Sequence, residues 1–352
     1  MATIAENLQT IQTIKNNIKT SIENKGVSVG DVSFTEYSTK IDEITTGGSG
    51  GDFDFSVIGY DTTLNNSCNN KIQEDIDYST TILNNWNPST TFANNQFSAD
   101  KKLVYCPLID TTNVTTMSQM FYNCTNLQFI PLLNTSNVTD MGSMFRNCSS
   151  LTSIPQLDTS KAIDISAIFG GCSKLTSIPS IDTSSATDMY NVFGGCYLLT
   201  TIPLLNTSKV TIMSQMFQYC SALQTIPQLD TSNVTNMQQM FNGCSSLQSL
   251  PLLDCGNVTN ISSFFEYTKN ITTLTDLGGF KNLKINWNDN NGLYRLPNLT
   301  YESVMNVINN LYDFRNNGDD TTTRTIQFNS NSKALLSDAD IAIATNKGWV
   351  IS

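Results

Sequence analysis

The 352-residue sequence contains no histidine, the side chain most used as a general base near neutral pH and a frequent transition-metal ligand. Charge is scarce as well: 14% of residues are charged, and 19 basic against 30 acidic residues leave a net charge of −11. Phosphate backbones are bound by clustered Lys and Arg, so no nucleic acid is expected as partner, and an anionic membrane surface is disfavoured on the same ground. No run of 18 apolar residues occurs, so no membrane insertion is expected. Met1-Ala2-Thr3-Ile4-Ala5-Glu6-Asn7 lacks the basic and apolar regions of a secretory leader, which predicts synthesis in a cytoplasm without export. The nine cysteines include no C-x-x-C pair, so zinc is not expected. These absences together predict a protein that is not an enzyme and carries no cofactor and no metal.

What the chain has is a beat. Pro107, Pro131, Pro155, Pro179, Pro203, Pro227 and Pro251 fall 24 residues apart, and so do Cys124, Cys148, Cys172, Cys196, Cys220 and Cys244. A fixed period of this length, with apolar positions in register, predicts an α/β repeat solenoid in which each coil buries its apolar side against its neighbours. The consensus LxxIPxLDTSxVTxMxxMFxxC repeats in a leucine-rich-repeat array of about seven coils over residues 97–285. LxxIPxL reads as a short parallel strand, DTS as a turn, VTxM as a second extended segment and xMFxxC as a helical or 3₁₀ turn.

Each column has a structural role to test. The Met117, Met141, Met189, Met213 and Met237 column also admits Ile165 and Ile261, so it asks for apolar shape and not for sulfur. In-line cysteines on adjacent coils would hold their Cβ atoms about 4.8 Å apart, beyond disulfide range, which predicts buried free thiols. Asp110, Asn134, Asp158, Asp182, Asn206, Asp230 and Asp254 open the DTS turns, where the side-chain oxygen can accept the N–H two residues on. Calcium between Asp158 and Asp182, or between Asp230 and Asp254, is the alternative, but one carboxylate per coil falls short of its six to eight oxygens.

Residues 1–46 read as a separate helical module for attachment and oligomerisation. Ile4, Leu8, Ile11, Ile14, Ile18 and Ile22 step by three and four; Ile4, Leu8, Ile11, Ile18 and Ile22 are the candidate oligomerisation residues along a coiled-coil seam, and Ile at d favours a homotrimer. The same helix also suits folding back on residues 34–44. Gly47-Gly48-Ser49-Gly50-Gly51 is a tether over 47–51, and residues 52–96 a lead-in cap. Residues 286–352 predict an α+β C-terminal cap: a helix from Thr300 to Phe314, a strand from Thr325 to Phe328, a short helix capped at Ser337 and a closing strand from Gly348 to Ile351.

The stretches from Leu151 to Cys172, LTSIPQLDTSKAIDISAIFGGC, and from Leu223 to Cys244 resemble the BspA-like (Treponema-type) leucine-rich repeat. The tail, LTYESVMNVINNLYDF followed by LSDADIAIATNKGWVIS, resembles the terminal cap seen with such repeats. The opening 44 residues, MATIAENL through KIDEI, resemble an N-terminal module of structural proteins of gut bacteriophages, crAss-like phages included. The resemblance implies a virion structural protein, a head-fibre or tail-fibre component. It would contact other virion proteins through its N-terminal module and bind a host-surface glycan or protein through its repeats. A bacterial surface adhesin or host-interaction protein is the alternative. Ligand contacts are expected from outward columns that vary: Tyr122, Arg146, Tyr190, Tyr197 and Tyr219, beside the polar stripe Gln128, Thr152, Thr176, Thr200, Gln224 and Gln248. Aromatic rings next to amides and hydroxyls suit a sugar, and the same residues also suit a merely solvated face.

Overall fold

The computed structural model divides into two compact units, Met1–Cys68 and Asn69–Ser352. It describes residues 78, 81–87, 89–275, 277–278, 292–317 and 323–352. The expected helical module, with Ile4, Leu8, Ile11, Ile18 and Ile22, and the tether lie outside the described residues.

In the second unit, positions 24 residues apart lie side by side. Single-residue parallel bridges link Phe92, Thr116, Asp140, Asp164, Asp188, Ile212, Asn236 and Asn260 in sequence, one per rung. This ladder sits on the V-T-x-M segment. The proline-bearing segment, expected as the strand, pairs less. It bridges at Tyr105–Phe129. It forms two-residue strands at β1 (Ser249–Leu250), β2 (Leu253–Asp254), β3 (Thr273–Leu274) and β4 (Leu277–Gly278), with β1 parallel to β3 and β2 parallel to β4. Proline offers no N–H to a ladder, so a Pro at the centre of each segment up to Pro251 interrupts it; the last segment has Thr275 at that place, whose N–H donates to Leu250 O at 3.2 Å.

The M-x-x-M-F-x-x-C segment is not helical. Its backbone donors alternate between two jobs. Met117, Gln119, Phe121 and Asn123 donate to the next rung, at Asp140, Gly142, Met144 and Arg146 carbonyls, over 2.8–2.9 Å. Met120, Tyr122 and Cys124 donate back to Met117, Gln119 and Phe121 over 3.0–3.1 Å, closing turns within the rung. Such alternation needs left-handed residues, and two columns supply them. Gln119 and Asn123 have φ of 56° and 59°, and the pair recurs from Asn95 and Ala99 through to Ser263 and Tyr267. Seven of the eight N–H groups from Met117 to Cys124 are thereby satisfied without a helix.

The core follows the columns. Phe97, Phe121, Phe145, Phe169, Phe193, Phe217 and Phe241 stack ring on ring, with neighbouring centroids 5.4–6.1 Å apart and planes within 19°. The Met, Leu and Cys columns are buried around them. Trp86, next to a helical stretch over 81–85, lies 6.5 Å from Phe97 and carries the stack to its first end, where its indole N–H also donates to the Asp110 carbonyl at 2.7 Å.

At the other end stand a 3₁₀ turn (Leu293–Arg295), α1 (Tyr301–Asn310), β5 (Arg324–Ile326), α2 (Ser330–Lys333), α3 (Asp338–Asn346) and β6 (Trp349–Ile351), with β5 parallel to β6. Thr300 caps α1 through the Ser303 N–H, and Ser337 with Asp340 forms a capping box on α3. α1 closes the edge of the last rung with polar side chains. Ser303 Oγ accepts from Leu274 N at 3.0 Å and donates to Thr272 O at 3.2 Å, and Asn306 Nδ2 donates to Leu274 O at 3.1 Å. An exposed strand edge is an aggregation template, and these bonds remove it.

Candidate functional site

The side chains that could carry chemistry are mostly engaged in holding rungs together. The expected DTS turns form at all seven positions, with the Asp or Asn Oδ1 accepting the N–H two residues on. These bonds hold the Asp158, Asp182 and Asp230 carboxyls below their usual range, hydrogen bonding to Ser160, Ser184 and Ser232 being the cause. At six of these positions the next residue is a buried Thr, and at five its hydroxyl donates to the following rung, as Thr159 Oγ1 does to Asp182 O at 2.8 Å and Thr183 Oγ1 to Asn206 O at 2.8 Å. Among the described residues, no group of three or more His, Cys, Asp or Glu could hold a metal ion.

The cysteine column is buried and unpaired in disulfides. Each thiol donates to the Phe carbonyl of the rung before: Cys124 to Phe97 at 2.9 Å, Cys172 to Phe145 at 3.1 Å and Cys220 to Phe193 at 3.1 Å. Burial pushes these thiols up, that of Cys124 to about 12 and that of Cys172 well above the ordinary value. A thiol that stays protonated is neither nucleophile nor ligand.

A second acidic column went unread in the sequence. Asp140, Asp164 and Asp188 occupy three consecutive bridge positions. Each Oδ1 accepts the N–H two residues on, from Gly142, Ser166 and Tyr190. Burial raises the Asp188 carboxyl, the Tyr190 N–H lowers it, and the like charge of Asp164 one rung back raises it further.

What remains uncommitted is a groove of about 440 Å³ lined by Tyr105, Gln128, Phe129, Ser150, Thr152, Ser153 and Lys174. The proline-bearing segments of consecutive rungs form it. Gln128 and Thr152 of the expected polar stripe line it, whereas Tyr122, Arg146, Tyr190, Tyr197 and Tyr219 do not. Tyr122 and Arg146 share one column on adjacent rungs and are half-buried; Tyr197 and Tyr219 are exposed on adjacent rungs on either side of the cysteine column, and half-buried Tyr190 belongs to another column. The sequence reading thus assembled three separate places, not one site. The missed residues, Tyr105 and Phe129, carried a signal: their column continues as Ser153, Ser177, Thr201, Thr225 and Ser249, so two aromatics stand out of pattern.

A chain whose described residues form in-register rungs, with most of their reactive side chains engaged in rung-to-rung bonds, belongs to the class of repeat proteins. Residues 86–203 and 187–284, together more than half of the chain, match the family described as Mycoplasma protein of unknown function, DUF285, and the chain belongs to this family. No curated protein matches it. No helix among the described residues is long and apolar enough to cross a membrane.

Proposed function

We propose that this chain is a structural protein of a bacteriophage virion, a head-fibre or tail-fibre component whose repeats form a BspA-like leucine-rich-repeat solenoid for host-cell adhesion. One observation carries the non-catalytic, adhesive part of this reading: among the described residues, the column thiols, turn carboxylates and buried threonines are engaged with the backbone, while aromatic and amide groups line an open groove on the outward segments. The 24-residue bridge register supports the solenoid. The apolar seam of residues 4–22 supports attachment to other virion proteins and a trimeric assembly. The family's description names Mycoplasma, which favours a second reading, a bacterial surface adhesin.

Electron microscopy of purified phage particles carrying a gold label at Ser352 separates the two. Label on particle appendages is the expected result. Label confined to wall or membrane fractions of bacteria overturns the virion reading in favour of the adhesin.

A further inference from the structure

We infer that the groove between Tyr105 and Lys174 is a subsite for an acidic saccharide, an inference that rests on reading the array as an adhesive surface. Three columns meet there. In the first, the parallel bridge between Tyr105 and Phe129 sets two rings on adjacent rungs, 47% and 53% exposed. Adjacent rungs lie about 4.8 Å apart, and both rings line the groove. At Ser153 the same column falls to a hydroxymethyl group and stays small in every later rung that carries the groove's pattern. That step from ring to hydroxymethyl opens the cavity.

The second column, Gln128 and Thr152, brings an amide and a hydroxyl to the floor, and the Tyr105 hydroxyl reaches Gln128 Oε1 at 3.5 Å. The third, Ser150 and Lys174, brings a hydroxyl and an ammonium group. The chemistry is that of a sugar site: the C–H face of a pyranose stacks on aromatic rings while its hydroxyls exchange bonds with amide and hydroxyl side chains. The cavity of about 440 Å³ also lies within the usual span of small-ligand sites.

Charge selects among sugars. Lys174 is the charged residue of the lining and no carboxylate lines it, in a chain with 30 acidic and 19 basic residues. A net charge of −11 repels an anion generally, so a bound anionic group must be drawn to a local cation, and Lys174 provides one. A sialic, uronic or sulfated residue stacked on Phe129 meets that ammonium group with its acid.

The test is an array of sialylated, uronic-acid and sulfated saccharides beside their neutral cores, probed with the full-length protein. Binding confined to the acidic members is expected. Phe129→Ser installs the residue that follows in its own column and should weaken binding about tenfold, the value of a lost stacking contact. Lys174→Ser, with Ser150 as the precedent in its column, should abolish the preference for acidic over neutral members. Both variants should melt with the parent. Absence of acidic-saccharide binding, binding only to peptides, or binding undiminished in both variants overturns the subsite. Particles carrying Phe129→Ser keep the two levels apart. Lost adsorption without any saccharide binding removes the saccharide class and leaves the adhesive surface standing. Saccharide binding by a protein found on no particle does the reverse.

Discussion

A thiol and a hydroxyl do the same work in this chain. After six cysteines the column ends in Thr268, whose Oγ1 donates to the Phe241 carbonyl 27 residues back, as each thiol does to its own Phe. The column therefore selects a small buried donor, not sulfur chemistry. Cys172→Thr and Cys172→Val have nearly equal volume and differ by that donor. The Val variant should be less stable than the Thr variant by about 1 kcal/mol, the value of one hydrogen bond. Equal denaturation midpoints would remove the bond from the account. Asp188 makes a pH-dependent counterpart. Its folded pKa is raised, so ionisation costs more in the native state than in the unfolded chain. Its effect on stability is absent below the unfolded value and grows as a penalty while pH rises from there through the folded one. Asn236, two rungs on in the same column, makes the identical bond, Oδ1 accepting from Gln238 N at 3.0 Å. Asp188→Asn should then raise the melting temperature at pH 7 and leave it unchanged near pH 3. A gain of equal size at both values would rule out titration as the cause.

Within the rung, the M-x-x-M-F-x-x-C turn shows where pattern and conformation part. Its apolar residues fall at the i, i+3, i+4 spacing of a helix face, and that spacing invites a helical reading. The decisive information sits in the columns between them. The left-handed positions hold Asn, Gln, Ser, Ala, Gly and Tyr and no β-branched residue, from Asn95 and Ala99 onward. At Gly243 the demand is double: φ is 78°, and an added Cβ would come 2.4 Å from the Tyr219 ring. Asn147 (φ 62°) shares that column with Gly171 (φ 75°), so Asn147→Gly should be nearly neutral. Asn147→Val should cost about 2 kcal/mol, because a β-branched side chain strains a left-handed residue. Matching unfolding midpoints for the two would contradict the turn geometry. The cap elements were easier to read than the turn, because Thr300 and Ser337 are side-chain signals at the helix starts they mark. The groove was legible only in part. Gln128 and Thr152 belong to a visible stripe, but Tyr105 and Phe129 matter through the smallness of Ser153 beside them, a relation between rungs that no single repeat displays.

Across the whole stack, each rung depends on its two neighbours and little else. The Phe rings stack only with adjacent rings, the turn N–H groups bond within their rung or to the next one, and the thiols reach only the one before. Stability in such an arrangement is a sum of rung terms and nearest-neighbour interfaces, and register is its sole long-range constraint. Removing residues 157–180 joins Gln156 to Ile181, which occupies the place of Leu157, so every column downstream stays in line. Residues 157–168 are half that span. Their removal would set the inward Met and Leu positions of later rungs against outward positions of earlier ones, such as the places of Ser177, Thr187 and Thr201. The longer deletion should lower the melting temperature by only a few degrees and keep one cooperative transition, since it subtracts one rung and one interface. The shorter should abolish the transition, because it exposes apolar columns on one side and buries Thr and Asn on the other without partners. Thermal melts followed by circular dichroism decide it. Equal destabilisation would mean that the rungs are not interchangeable and that the stack is held by something other than its register.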